Sequence, residues 1–335
     1  MKVATWRGED KFTIDEVPMP KLEAGLVIIK VDSAGVCGTD VHVTQGLFTE
    51  WKPPMVLGHE FSGVIVDVGQ EVPSERIGER VVCLPQPGCG KCGPCKTWNI
   101  GHCEQLPRRA GSFAEYVMVD QNAAYILPEK LDLETASMVE PAACALSCVD
   151  SLGPQEKGFD ALVIGTGLLG LFTVVFLKLR GAGRVIASEP NPIRREMARQ
   201  FGADFVHDPS KSSVNEIVEE LTDGTGVHVA VEAVGKPELV AKCVELARPR
   251  GHVLMVGVSP RRSPLMIDLF EMHFKEISLR GAMGAGNSFG AALNLFPKIH
   301  LEGVVGGRHP LEEIASVIQM SAAGDQVKFV IAPND

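Results

Sequence analysis

Three features that would settle a class at once are missing: an excess of positive charge, an unbroken apolar run of membrane-spanning length, and any repeat or low-complexity tract. Lys and Arg number 32 against 42 Asp and Glu, a net charge of -10 at pH 7. A protein that neutralises a phosphate backbone needs clustered cations to displace counterions, so no nucleic-acid partner is expected and a small molecule is. The longest apolar run, Ala161 to Leu177, has 17 residues and stands at the lower limit for a bilayer crossing. Three glycines divide it into the end of a strand and the start of a helix, so no membrane partner is expected either. Charged residues within Met1 to Asp10 occupy the place of a leader's apolar core, which predicts a cytoplasmic protein.

What is present is apolar matter for more than one core. A chain of 335 residues, 45% hydrophobic and with 35 glycines, predicts two folded domains. Residues 1–143 read as β-rich, with runs such as Leu26 to Val31 and Gly63 to Val68 separated by Gly and Pro turns. Over 144–284 the pattern alternates between strand and helix, which requires a parallel sheet with crossover helices and gives an α/β class. A helix around Leu311 to Ala322 and a last strand near Gln326 to Ile331 are expected to return 285–335 to the first domain.

Gly165-Thr166-Gly167-Leu168-Leu169-Gly170 ends a strand and opens a helix, the context in which G-x-G-x-x-G reads as a dinucleotide loop. Gly165 allows the tight turn, Gly167 lets a pyrophosphate approach the backbone, and Gly170 lets the helix pack on the strand. The helix N-terminus supplies N–H donors and a positive dipole end. Nineteen residues on, Glu189 closes the next strand, where a carboxylate accepts hydrogen bonds from the ribose hydroxyls and disfavours a 2′-phosphate. Arg194 and Arg195 follow; they either serve a 2′-phosphate or form a solvated helix face. Glu189 decides for NAD, with NADP less favoured.

Five of the nine cysteines fall within 21 residues. Cys89, Cys92, Cys95 and Cys103 stand close enough for one loop to wrap a tetrahedral ion, and a closed four-sulfur shell implies a structural zinc. A second, dispersed set comprises Cys37, His59, Glu60 and Glu140. One soft ligand with several harder ones from separate loops suits an open, catalytic zinc, although spacing alone does not assemble them. Cys83, Cys144, Cys148 and Cys243 have no metal register and read as core residues.

Cys37-Gly38-Thr39-Asp40-Val41-His42, Gly58-His59-Glu60-Phe61-Ser62-Gly63, the four-cysteine segment, Gly111-Ser112-Phe113-Ala114-Glu115-Tyr116 and the glycine loop occur in the order of the zinc-containing medium-chain dehydrogenase/reductase superfamily, which the chain resembles over essentially its whole length. Glu140-Pro141 resembles the sorbitol (polyol) and threonine dehydrogenase branch. The resemblance implies a GroES-like substrate domain interrupted by a Rossmann domain, and two zinc ions per chain. It places Cys37, His59 and Glu60 at a catalytic zinc, with Glu140 as fourth ligand or holding the metal's water, and Glu60 and Glu140 able to exchange roles. Thr39 and His42 become the proton relay. Arg194 would meet the adenosine ribose, Val256, Gly257 and Val258 the nicotinamide, and Lys328 the pyrophosphate.

The function so implied is oxidation of a secondary alcohol on a small polar substrate, of polyol or sugar-alcohol type, to a ketone by hydride transfer, in a homodimer or homotetramer. The alternatives are a threonine-type amino alcohol, a polyol phosphate and, from another class, an inactive nucleotide-binding sensor; an intact relay of Thr39 and His42 disfavours the last. Arg108 and Arg109, in a segment shorter than the family's, are expected to meet an anionic or strongly polar part of the substrate.

Overall fold

The computed structural model describes every residue except 49, 98–99 and 106–110. It divides into two compact units, Met1–Ala143 with Ala285–Asp335, and Cys144–Gly284.

The strands of the first unit are β1 (Lys2–Gly8), β2 (Lys11–Glu16), β3 (Leu26–Gly35), β4 (Met55–Val56), β5 (Glu60–Val68), β6 (Arg80–Cys83), β7 (Tyr116–Asp120) and β8 (Ala124–Ile126). Its helices are α1 (Gly38–Thr44), α2 (Gly93–Lys96), α3 (Leu133–Ala136) and the start of α4 (Val139–Asp150). In the second unit, β9 (Asp160–Ile164), β10 (Arg184–Ser188), β11 (Phe205–His207), β12 (Val227–Glu232), β13 (Ala247–Met255) and β14 (Ser278–Gly281) alternate with α5 (Leu168–Leu179), α6 (Pro192–Gln200), α7 (Val214–Thr222), α8 (Pro237–Leu246) and α9 (Leu269–Phe274). The chain returns to the first unit with α10 (Phe289–Leu295), β15 (Val305–Pro310), α11 (Ile314–Ala323) and β16 (Lys328–Ala332).

In the first unit β15, β16, β3, β5, β6 and β8 lie side by side, β7 also pairs with β3, and β2, β1 and β4 form a smaller sheet. Alternating residues of β3 and β5 bury Val27, Ile29, Val31, Phe61 and Ile65 in one core, which is why their β-branched runs read as strands. Antiparallel pairing of β3 with β5 puts the end of one beside the start of the other, with Gly35 opposite Glu60. On the other side of β3, Gly35 is opposite Val330 of β16. The segments after β3, before β5 and at the start of β16 therefore converge.

The second unit is an all-parallel sheet in the order β11-β10-β9-β12-β13-β14. The order reverses between β9 and β12, the switch point at which doubly wound sheets place their ligands beyond the carboxyl ends of the strands. β9 is buried throughout, as a strand covered on both faces must be. The run from Ala161 to Leu177 is thus β9, the glycine turn and most of α5, and no helix among the described residues is long and apolar enough to cross a membrane.

Candidate active site and metal centres

Cys37 lies two residues past β3, Glu60 opens β5 and His59 immediately precedes it. The convergence of those strand ends brings one donor atom from each of the three within 4.8 Å of one another. Asp40, wholly buried on α1, holds the two segments together: its carboxylate accepts from Cys37 N–H at 2.9 Å and from Gly58 N–H at 3.1 Å, and its Oδ1 lies 3.7 Å from His59 Nδ1. Burial alone would raise the Asp40 carboxyl, but His59 and the two backbone donors hold it below the usual range. Burial would lower His59, yet the facing Cys37 and Asp40 raise it well above an ordinary imidazole. Burial, followed by the nearby Glu60, pushes the Cys37 thiol up. A half-buried thiol, a buried imidazole beside a carboxylate, and a second buried carboxylate are donor types that suit zinc.

Thr39 and His42 are three apart on α1 and so share a side of the helix. Both are half-buried, and the His42 ring lies 5.8 Å from that of Phe48. Burial lowers the His42 imidazole, favouring its neutral form.

The four sulfurs of Cys89, Cys92, Cys95 and Cys103 also offer donor atoms within 4.8 Å of one another. Backbone N–H groups of Lys91 and Cys92 point at Cys89 Sγ and pull its thiol down to about 6, whereas desolvation and the neighbouring Cys92 push Cys95 up to about 11. All four cysteines are free of disulfides, as metal thiolates must be.

In the second unit Gly165 has φ +90°, and a Cβ there would strike Val234. A Cβ on Gly170 would run into the Gly165 carbonyl, whereas beyond Gly167, the cap of α5, space is open for a ligand to come close. Glu189 is 4% exposed, and its carboxylate accepts from Thr166 N–H at 2.8 Å and Asn191 N–H at 3.0 Å. This ties the acid to the glycine loop. Leu168 and Leu169 begin α5, and Arg194 lies on α6 with its carbonyl 3.3 Å from Thr166 Oγ1. Val256 and Gly257 N–H both donate to the Glu232 carbonyl, and Val258 is half exposed. An open glycine turn at a helix N-terminus with a carboxylate beside it fits a dinucleotide.

Residues 23–129 match the family model of the alcohol dehydrogenase GroES-like domain, and 169–298 that of zinc-binding dehydrogenases. Scyllo-inosose 3-dehydrogenase of Thermotoga maritima is 34% identical over 97% of this chain and 89% of its own length. L-threonine 3-dehydrogenase of Bacillus subtilis is 33% identical over 96% and 94%. A zinc-binding dehydrogenase of Sinorhizobium meliloti, solved with NADP bound, superposes with a TM-score of 0.91 at 31% identity, covering 99% of both chains.

The chain belongs to the zinc-binding medium-chain dehydrogenases. This dehydrogenase is an NAD(P)-linked enzyme of the zinc-dependent alcohol dehydrogenase type, with a GroES-like and a Rossmann unit.

Two basic residues singled out in the sequence do not lie in the open in the dehydrogenase. Lys328 opens β16, is 4% exposed, and its ammonium donates to the Glu60 carboxylate and, at 2.8 Å, to the Val36 carbonyl. Glu60 and Lys328 reach each other across the end of β3 because Gly35 lies between them; a Cβ there would be 2.5 Å from Glu60 Oε2 and 2.6 Å from Lys328 Cε. Arg195 is not a solvated helix residue either, since its side chain is 15% exposed and paired with Asp208 at 2.9 Å. Glu140 lies buried in the first turn of α4 and outside the set that gathers within 4.8 Å among the described residues. Sequence reasoning gave Asp40 no role; its signal was an acid three residues after a capping Cys37, the spacing of a capping box. Arg108 and Arg109 lie outside the described residues.

Proposed function

We propose that the dehydrogenase oxidises a secondary hydroxyl on a small polyol or sugar alcohol to a ketone, with NAD as the preferred acceptor. The observation that carries this reading is the gathering of Cys37, His59 and Glu60 within 4.8 Å beside the helix that bears Thr39 and His42. Cys37, His59 and Glu60 would hold the catalytic ion, with Glu140 in reserve, and the four-cysteine lobe a second. Zinc held there supplies Lewis acidity, the property that lowers the pKa of water from about 15.7 to about 7 and makes an alcohol acidic near neutrality. Bound NAD supplies the hydride acceptor. Thr39 takes the hydroxyl proton and the neutral His42 passes it outward. Glu189 receives the ribose hydroxyls and sets a negative charge where NADP would bring a phosphate.

The relatives supply both forms of secondary alcohol, since one is named for an inosose and another for threonine. A homodimer or homotetramer fits the exposed Met266, Leu269, Phe270 and Phe274, which precede the edge strand β14. The test follows the absorbance of reduced cofactor over a panel of neutral polyols, L-threonine and polyol phosphates, each with NAD and NADP. The expected result is turnover of a secondary alcohol, greatest among neutral polyols, with kcat/KM for NAD at least roughly tenfold above that for NADP. No reduction with any member of the panel, or a higher kcat/KM with NADP, would overturn the reading.

A further inference from the structure

A 2′-phosphate is recognised by cations with donors to spare, a ribose diol by a carboxylate. The dehydrogenase carries both kinds of group around one turn. Glu189 follows β10, and Arg195 on α6 reaches back to it, with Nη1 2.7 Å from the Glu189 carbonyl and 2.6 Å from the Pro190 carbonyl. Nη2 of the same guanidinium lies 2.9 Å from Asp208 Oδ2, and the two side chains are 15% and 14% exposed. Asp208 is itself fixed, because it stands just past β11 and accepts from Ser210 N–H at 3.0 Å and Ser210 Oγ at 2.6 Å. The guanidinium beside the Glu189 turn is therefore neutralised and held by three oxygens.

We infer that Asp208 is a second determinant of cofactor choice, a positioning residue that pins Arg195 on the Glu189–Pro190 turn and cancels the charge a 2′-phosphate would require. The inference rests on the reading that Glu189 faces the adenosine ribose. It adds that removing Glu189 alone takes away the repulsion but leaves Arg195 paired with Asp208, whose carboxylate also has the exposed Lys211 ammonium 3.8 Å away. Asp208 alone can be removed with little gain, because the Glu189 carboxylate still repels the phosphate. With both removed, Arg195 keeps its place on the turn and its guanidinium no longer has a carboxylate against it.

The experiment measures kcat/KM for NAD and NADP in Glu189→Ser, Asp208→Asn and the double variant. Asn keeps the size of Asp208 and an oxygen for Ser210, and Asp208→Ser serves as an independent second variant. The expected result is non-additive: the NADP/NAD ratio of the double variant exceeds the product of the two single effects by about tenfold or more, the scale of one charge-assisted hydrogen bond. The gain should appear in KM for NADP and not in kcat, and shrink as salt is raised. Asp208→Glu should restore the low ratio, and adding Arg195→Ala to the double variant should erase the gain. A merely structural role for Asp208 would move none of these selectively. If Glu189→Ser shifts the ratio while Asp208 adds only a multiplicative change, or if the gain survives Arg195→Ala, the Asp208 inference is overturned and the Glu189 reading stands. A Glu189→Ser ratio equal to that of the unmodified enzyme would overturn both.

Discussion

Replacing Cys37 with Ser is expected to lower kcat about a thousandfold, since a catalytic metal supplies several kcal/mol of charge stabilisation. Zinc content should fall from two per chain, one for each donor set, to one. The fold should survive. Cys37 caps α1 through a weak contact in which Thr39 N–H reaches Sγ at 3.4 Å, and a serine oxygen is a better cap than sulfur. Asp40 still accepts from the backbone N–H of residue 37 and from Gly58, so the two ligand segments stay joined. The checks are elemental analysis, steady-state turnover and a thermal melt of the same preparation. Wild-type kcat in Cys37→Ser would remove this thiol from the chemistry.

Cys95→Ser should do the opposite: loosen the fold more than the site. Between residues 85 and 105 the only buried residue among those described is Cys103, and regular structure is limited to α2 and the short 3-10 turn Ile100–His102. Such a segment has almost no apolar core, and its folding energy must come from ligation, worth on the order of 10–16 kcal/mol in zinc-finger peptides. Losing one thiolate should release the lobe's zinc, open 85–105 to protease, and lower the melting temperature by on the order of 10 °C. Limited proteolysis with mass analysis of the first cuts decides it. An uncut segment and an unchanged melt would show that the lobe folds without its metal.

The contrast between the two cysteines also marks what could be read from the sequence. The lobe was legible because all four sulfurs fall in one short loop, so spacing is nearly geometry. So was the glycine loop, where strand, turn and helix are local, and the change from β-rich to alternating texture that separates the two sheets. The second metal set was not legible from spacing, because Cys37 and His59 meet only through the antiparallel register of β3 with β5. Family resemblance supplied what register could not. The pairing of Lys328 with Glu60 was hidden for the same reason: it crosses 268 residues and depends on Gly35 leaving room between two strands. The sequence left Arg195 between a 2′-phosphate partner and a solvated helix face, whereas the structure brings Asp208, just past β11, against it. Pairings made by sheet order are not visible in sequence distance.

The central claim, that an exchangeable zinc drives the chemistry and a closed one holds the fold, is most directly tested by titrating the active enzyme with a mild chelator while zinc, turnover and far-ultraviolet circular dichroism are followed together. The account predicts two zinc ions per chain at the start, one for each donor set. Activity should be lost with the first equivalent removed, secondary structure should be retained until the second leaves, and activity should return when zinc is restored. Full turnover from protein that carries one zinc or none would contradict it.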